Sequence, residues 1–178
     1  MIRSEASALV IDASVAIAMC VEEPLADVAD RIIRSRRAAG VRLLVPTFFW
    51  LEVINVLALR YRLTPGRVLE AIATLDGMSL ETVDLDRSQL LLTLDVMARS
   101  GLTAYDAGYV ALAESADAEI LTGDARMAAA AGKRAVRTGA RRSVRERASP
   151  YAESWAAWPG AAAYLKKLRA EVTGRANG

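Results

Sequence analysis

The sequence predicts a three-layer α/β/α fold with a mostly parallel central sheet flanked by helices. Three observations carry that expectation. Short strand-like segments recur near residues 8–11, 41–45, 80–83 and 119–122, and the first, a continuous apolar run, reads as a strand buried on both faces. Segments of helical length and period separate them, the alternation expected of a parallel sheet with helices on both faces. The first and fourth runs also lead straight into an aspartate and then small residues. In open α/β sheets, ligands sit beyond the carboxyl ends of the strands, where these aspartates would stand.

Taken in order, Ala8–Ile11 (ALVI) is the first strand, and residues 13–20 start a short helix broken by Glu22-Glu23-Pro24. Residues 25–38 place Leu25, Val28, Ala29, Ile32 and Ile33 on one face of a second helix, which Gly40 ends. A short strand at 41–45 stops at Pro46. Residues 47–60, TFFWLEVINVLALR, form a helix apolar nearly all round and therefore expected to be buried, with Thr47 as its N-cap. A helix at 64–75 carries Pro65 at its first position. A strand at 80–83, a helix at 86–99 and a helix at 103–115 follow. The strand at 119–122 turns through Gly123-Asp124 into a short helix, and Ala135-Val136 is an edge strand.

The length of 178 residues suits one domain with an appendage, and a hydrophobic content of 53% supplies a core. Residues 1–147 are read as the domain and residues 148–178 as a C-terminal extension, helical with a frayed end. There is no histidine, which excludes a Ser-His-Asp triad and a His-ligated zinc site. The one cysteine, Cys20, precludes an internal disulfide and fits a cytoplasmic location. No stretch reads as a membrane span, because residues 43–59 are interrupted by Pro46, Glu52 and Asn55. Residues 1–131 hold 12 Lys/Arg against 18 Asp/Glu, whereas residues 132–178 hold 11 against 3. An acidic body with a basic C-terminal part is one way to combine cation binding with an anionic polymer, and a solvated tail is the other reading.

Four carboxylates stand out. Asp12 and Asp124 follow strands, and each alone reads first as a helix N-cap. Asp106 lies three residues after Thr103, the spacing of a capping box. Glu52 has no such explanation. A carboxylate on an otherwise apolar helix is costly unless it is paired or binds a metal. In a parallel sheet the two strand-following acids share one edge, and the repulsion among acids in one cleft is relieved by a hard divalent cation. Mg²⁺ suits such an oxygen-only site.

In the order VIDAS (Asp12), LEVINVL (Glu52, Asn55), LTAYDAGYVALAE (Asp106) and ILTGDARM (Asp124), the chain resembles the PIN-domain ribonucleases. In size and motif style it is most similar to the VapC-type toxins of type II toxin–antitoxin systems. The resemblance spans roughly residues 8–137 and implies a PIN-like fold and Mg²⁺-dependent endonucleolytic cleavage of RNA, with Mn²⁺ able to substitute. It implies Asp12, Glu52, Asp106 and Asp124 as catalytic metal ligands, with Ser14, Asn55 and Thr122 supporting them. It further implies a cognate antitoxin and a homodimer; exposed apolar positions around Phe48, Phe49 and Trp50 are candidates to receive the antitoxin, with core packing the better account for two of the three. Arg126, Lys133, Arg134 and Arg137, with Arg141 and Arg142, are candidates for the RNA backbone because they follow the Asp124 motif. The glycines of AYDAGY and TGD read as tolerable variants beside the acids. The closest alternative is a PIN nuclease of RNA processing without an antitoxin. A receiver domain is disfavoured because no lysine precedes Lys133, and a haloacid-dehalogenase-like phosphatase because the first strand leads into Asp12-Ala13-Ser14 rather than Asp-x-Asp.

Overall fold

The computed structural model describes residues 7–136. Arg137, Arg141, Arg142 and the extension at 148–178 lie outside them. The elements are β1 (Ala8–Ile11), α1 (Ala13–Cys20), α2 (Ala26–Ala38), β2 (Arg42–Pro46), α3 (Phe49–Asn55) continued by a π turn (Val56–Arg60), α4 (Pro65–Asp76), β3 (Leu80–Val83), α5 (Arg87–Ser100), α6 (Ala104–Ser115), β4 (Glu119–Leu121), α7 (Ala125–Ala131) and β5 (Ala135–Val136).

All strands are parallel, in the order β3-β2-β1-β4-β5. The chain builds the sheet outward from β1 through β2 to β3, then crosses back to place β4 on the other side of β1. Right-handed crossovers therefore put α1–α4 on one face and α5–α7 on the other. Every residue of β1 is buried, as is each of β2 after Arg42, whereas the edge strand β3 is buried nowhere along its length. That gradient is why β1 reads as a continuous apolar run and β3 as LETV. The topological switch point, where such sheets open a crevice, lies between β1 and β4.

The helix after β2 departs from expectation in two ways. It is not buried all round. Phe49, Val53 and Leu57 are fully buried, but Leu51 and Leu59 are 66% and 75% exposed. Its outer face carries leucines in place of polar residues, so composition hides the amphipathic period. Nor does Thr47 cap it. The Thr47 hydroxyl donates to the Val83 carbonyl and to Asp84 Oδ1, tying the end of β2 to the loop after β3.

Candidate active site: four carboxylates at the switch point

Asp12 ends β1 and is 3% exposed. It occupies the N-cap position of α1 without a full cap hydrogen bond, although the Ser14 backbone N–H lies near enough to lower its pKa. Its Oδ2 instead accepts from two hydroxyls, those of Ser14 and Thr122, the latter at 2.7 Å. Each hydroxyl is itself held. The Gly123 N–H donates to Ser14 Oγ at 3.1 Å and the Asp124 N–H to Thr122 Oγ1 at 2.9 Å. The backbone of the β4–α7 turn, the two hydroxyls and the carboxylate form one hydrogen-bonded ring, which joins the ends of β1 and β4 and leaves Asp12 Oδ1 outside the clamp. Burial pushes the Asp12 carboxyl up from the usual range to about 6, against the Ser14 and Thr122 hydrogen bonds and the Ser14 backbone, with a smaller upward push from Asp106.

The ring also explains Gly123. A Cβ there would lie 2.9 Å from Leu25 Cδ2 and 3.2 Å from Ser14 Oγ. Gly108, in α6, faces the Phe48 ring, which a Cβ would meet at 3.0 Å. At both glycines an added Cβ would require neighbouring side chains to shift.

Asp124 and Asp106 combine capping with exposure to the cleft. Asp124 Oδ1 accepts from the Met127 N–H at 2.7 Å and caps α7. Thr103 caps α6 by accepting from the Asp106 N–H, and its hydroxyl donates to Asp106 Oδ2 at 2.7 Å. Desolvation raises the Asp106 pKa against the Thr103 hydroxyl. The Asp124 charge raises it further, while Arg126 and the Thr103 backbone lower it. Glu52, half-buried on α3, accepts at Oε2 from the Tyr109 hydroxyl at 2.8 Å. Tyr109 is fully buried, and burial followed by the Asp12 and Glu52 charges pushes its pKa far up, so it remains a neutral donor.

The four acids, from four separate segments, line one cavity of about 190 Å³ together with Ser14, Gly123 and Arg60. That space has room for a cation and several waters and is smaller than the usual pocket for an organic cofactor. Among the described residues no three acids converge into a ready-made ligand cluster. Like charges held apart in a half-desolvated cleft have this arrangement. Mg²⁺, which keeps waters and takes only one or two carboxylates directly, does not need a tight cage. An oxygen-only donor set without histidine fits Mg²⁺ or Mn²⁺ and not a soft metal.

Of the residues expected to support the acids, Ser14 and Thr122 sit on Asp12, while Asn55 is exposed and does not line the cavity. Arg126 donates to the Gly101 carbonyl at 2.8 Å and acts on Asp106 through space. Lys133 and Arg134 precede β5, so they stand at the amino edge of the sheet, away from the acids. Arg134 pairs there with Asp117. Sequence reasoning missed Tyr109, which reads as core, and Arg60, which a regular helical period carries off the face of Glu52.

The PIN domain family model matches residues 9–133. Among solved structures, PAE2754 from Pyrobaculum aerophilum aligns at 24% identity with a TM-score of 0.53, covering 72% of this chain and 87% of that one, a likeness of fold. No curated protein matches the chain.

Proposed function

The chain belongs to the PIN-domain family, a class of metal-dependent nucleases, and from that premise we propose that it is an Mg²⁺-dependent endoribonuclease acting as the toxin of a VapBC-type module. The observation that carries the nuclease reading is that Asp12, Glu52, Asp106 and Asp124, from four separate segments, line one cavity at the switch point. The toxin reading rests on the motif style of VIDAS, LTAYDAGYVALAE and ILTGD and on the size of the domain.

In this reading Asp12, Asp106 and Asp124 would hold the cation, and Glu52 lines the same cavity. A bound Mg²⁺ or Mn²⁺ supplies water of lowered pKa and neutralises charge developing on the phosphodiester. The chain's own residues fix the geometry. The Ser14 and Thr122 hydroxyls hold the Asp12 carboxylate in one orientation. The Tyr109 hydroxyl keeps its proton and orients Glu52, a carboxylate that lines the cavity and would serve there as proton acceptor. Partners under this proposal are RNA, a cognate antitoxin and a second copy of the chain, in the cytoplasm. Among the described residues no helix is long and apolar enough to cross a membrane.

Purified protein is expected to cleave RNA with Mg²⁺ or Mn²⁺ and to stop with a chelator. Asp12→Asn and Asp106→Asn should each lower the rate by about two orders of magnitude or more. Cleavage by either variant at the parent's rate would sink the assignment. Expression should arrest growth, and co-expression of a small adjacent reading frame should relieve it. RNA cleavage without growth arrest would move the protein to the RNA-processing branch of the family.

A further inference from the structure

Arg60 is the one cationic side chain among the described residues that lines the acidic cavity. Half of the described arginines are held in ion pairs. Arg34, Arg36, Arg42, Arg67, Arg99 and Arg134 each pair with a carboxylate. Arg60 forms no ion pair among the described residues. Its guanidinium carbon lies 5.6 Å from the centroid of the Tyr61 ring, a cation–π contact that leaves the N–H fork free to bind. The Tyr61 hydroxyl in turn donates to Glu23, which steadies the ring.

The π turn delivers it there. At about 100° per residue, a regular α-helix would carry position 60 roughly 80° past the direction of Glu52. From Val56 onward the bonds close i→i+5, as in Tyr61 N–H to the Val56 carbonyl at 3.1 Å. The wider turn rotates the chain less per residue and swings Arg60 back above Val56 and Glu52, all three of which line the cavity. An irregular turn at this place otherwise only costs helix regularity.

The chemistry selects the ligand. A phosphodiester entering a cleft of four carboxylates is repelled by them, and a guanidinium at that cleft that pairs with no carboxylate among the described residues matches its two non-bridging oxygens as a fork. We propose that Arg60 binds a backbone phosphate of the RNA at this cavity and sets the register of the strand over the carboxylates. The inference deepens the nuclease reading and rests on it for the identity of the polymer. It assigns to Arg60 the backbone contact that position in the chain suggested for Arg126, Lys133 and Arg134.

The test uses the full chain as parent, Arg60→Ala and Arg60→Lys. Steady-state cleavage of a single-stranded RNA is followed in Mn²⁺ at low and moderate salt, and anisotropy of labelled RNA is read in chelator. Arg60→Ala should raise KM by about tenfold and flatten the dependence of log KM on log salt by about one ion. Its Mn²⁺ dependence should stay as in the parent. Arg60→Lys, which keeps the charge without the fork, should recover part of the loss. Unchanged KM and salt slope in Arg60→Ala would overturn the proposal. So would a parallel loss of Mn²⁺ affinity, which would make Arg60 a support for the acids instead. If the parent cleaves no RNA, the nuclease reading fails by itself. Anisotropy then decides Arg60 separately, weaker binding in Arg60→Ala supporting the phosphate contact and equal binding ending it.

Discussion

Asp12 stores a conflict that can be measured. Its carboxyl is buried at the end of an apolar strand, and its folded pKa stands near 6, against 3.8 as a free side chain. A raised carboxyl pKa means that the fold favours the protonated form. The associated stability is fully present below about pH 4 and is lost as the pH rises through about 6. In metal-free protein above pH 7, Asp12→Asn should therefore raise stability, by about 1–3 kcal/mol for a shift of this size, less whatever the Ser14 and Thr122 hydroxyls lose on an amide. Urea denaturation in chelator at pH 5 and pH 7.5 checks it. The gain should shrink at the lower pH, and an equally large gain at both would contradict the cause given. Asp12 was visible in the sequence because an acid directly after a buried strand is conspicuous. Both residues of its clamp were candidates in the sequence, but their convergence was not visible. Ser14 lies two residues away, whereas Thr122 reaches Asp12 across 110 positions, and only strand pairing brings it there.

At the scale of elements, the strands and helices were legible nearly to the residue, because β1, β2 and β4 are apolar runs and α4 to α6 carry Pro, Thr or Asp at their starts. What escaped were features with no local signature. The π turn has none, since VLALR fits a regular helix equally well. The close approach of Gly123 to Ser14 and Leu25 has none either, since a glycine after a strand reads as an ordinary turn. Gly123→Ala should destabilise the protein by about 1–3 kcal/mol through overpacking. It should also lower cleavage, because Ser14 cannot yield without moving on Asp12. Thermal unfolding and RNA cleavage on the same preparation check both. Full activity with parental stability would show that the junction is looser than its geometry implies. Thr122→Val should cost about 1–3 kcal/mol, since it leaves the Asp124 N–H without its acceptor and Asp12 with one donor fewer.

For the whole molecule, the parallel sheet was legible from the alternation of strands and helices, but its order was not. Periodicity cannot say that β4 lies beside β1. Resemblance to a family carried the four acids together, and the crossover explains why they meet. β1 and β4 flank the switch point, α6 starts beside it, and α3 brings Glu52 to Tyr109 over the end of the sheet. The same placement sets Lys133 and Arg134 at the opposite edge of the sheet from the acids, although they follow Asp124 closely in sequence. The claim on which the rest depends is that the four acids form one cation site. Calorimetric titration of Mn²⁺ into the parent and into Asp12→Asn, Glu52→Gln, Asp106→Asn and Asp124→Asn tests it most directly. The account predicts saturable binding by the parent and a loss of about tenfold or more in affinity in the Asp12, Asp106 and Asp124 variants, with a smaller loss for Glu52. Binding of equal strength in all five proteins, or none in the parent, would contradict it.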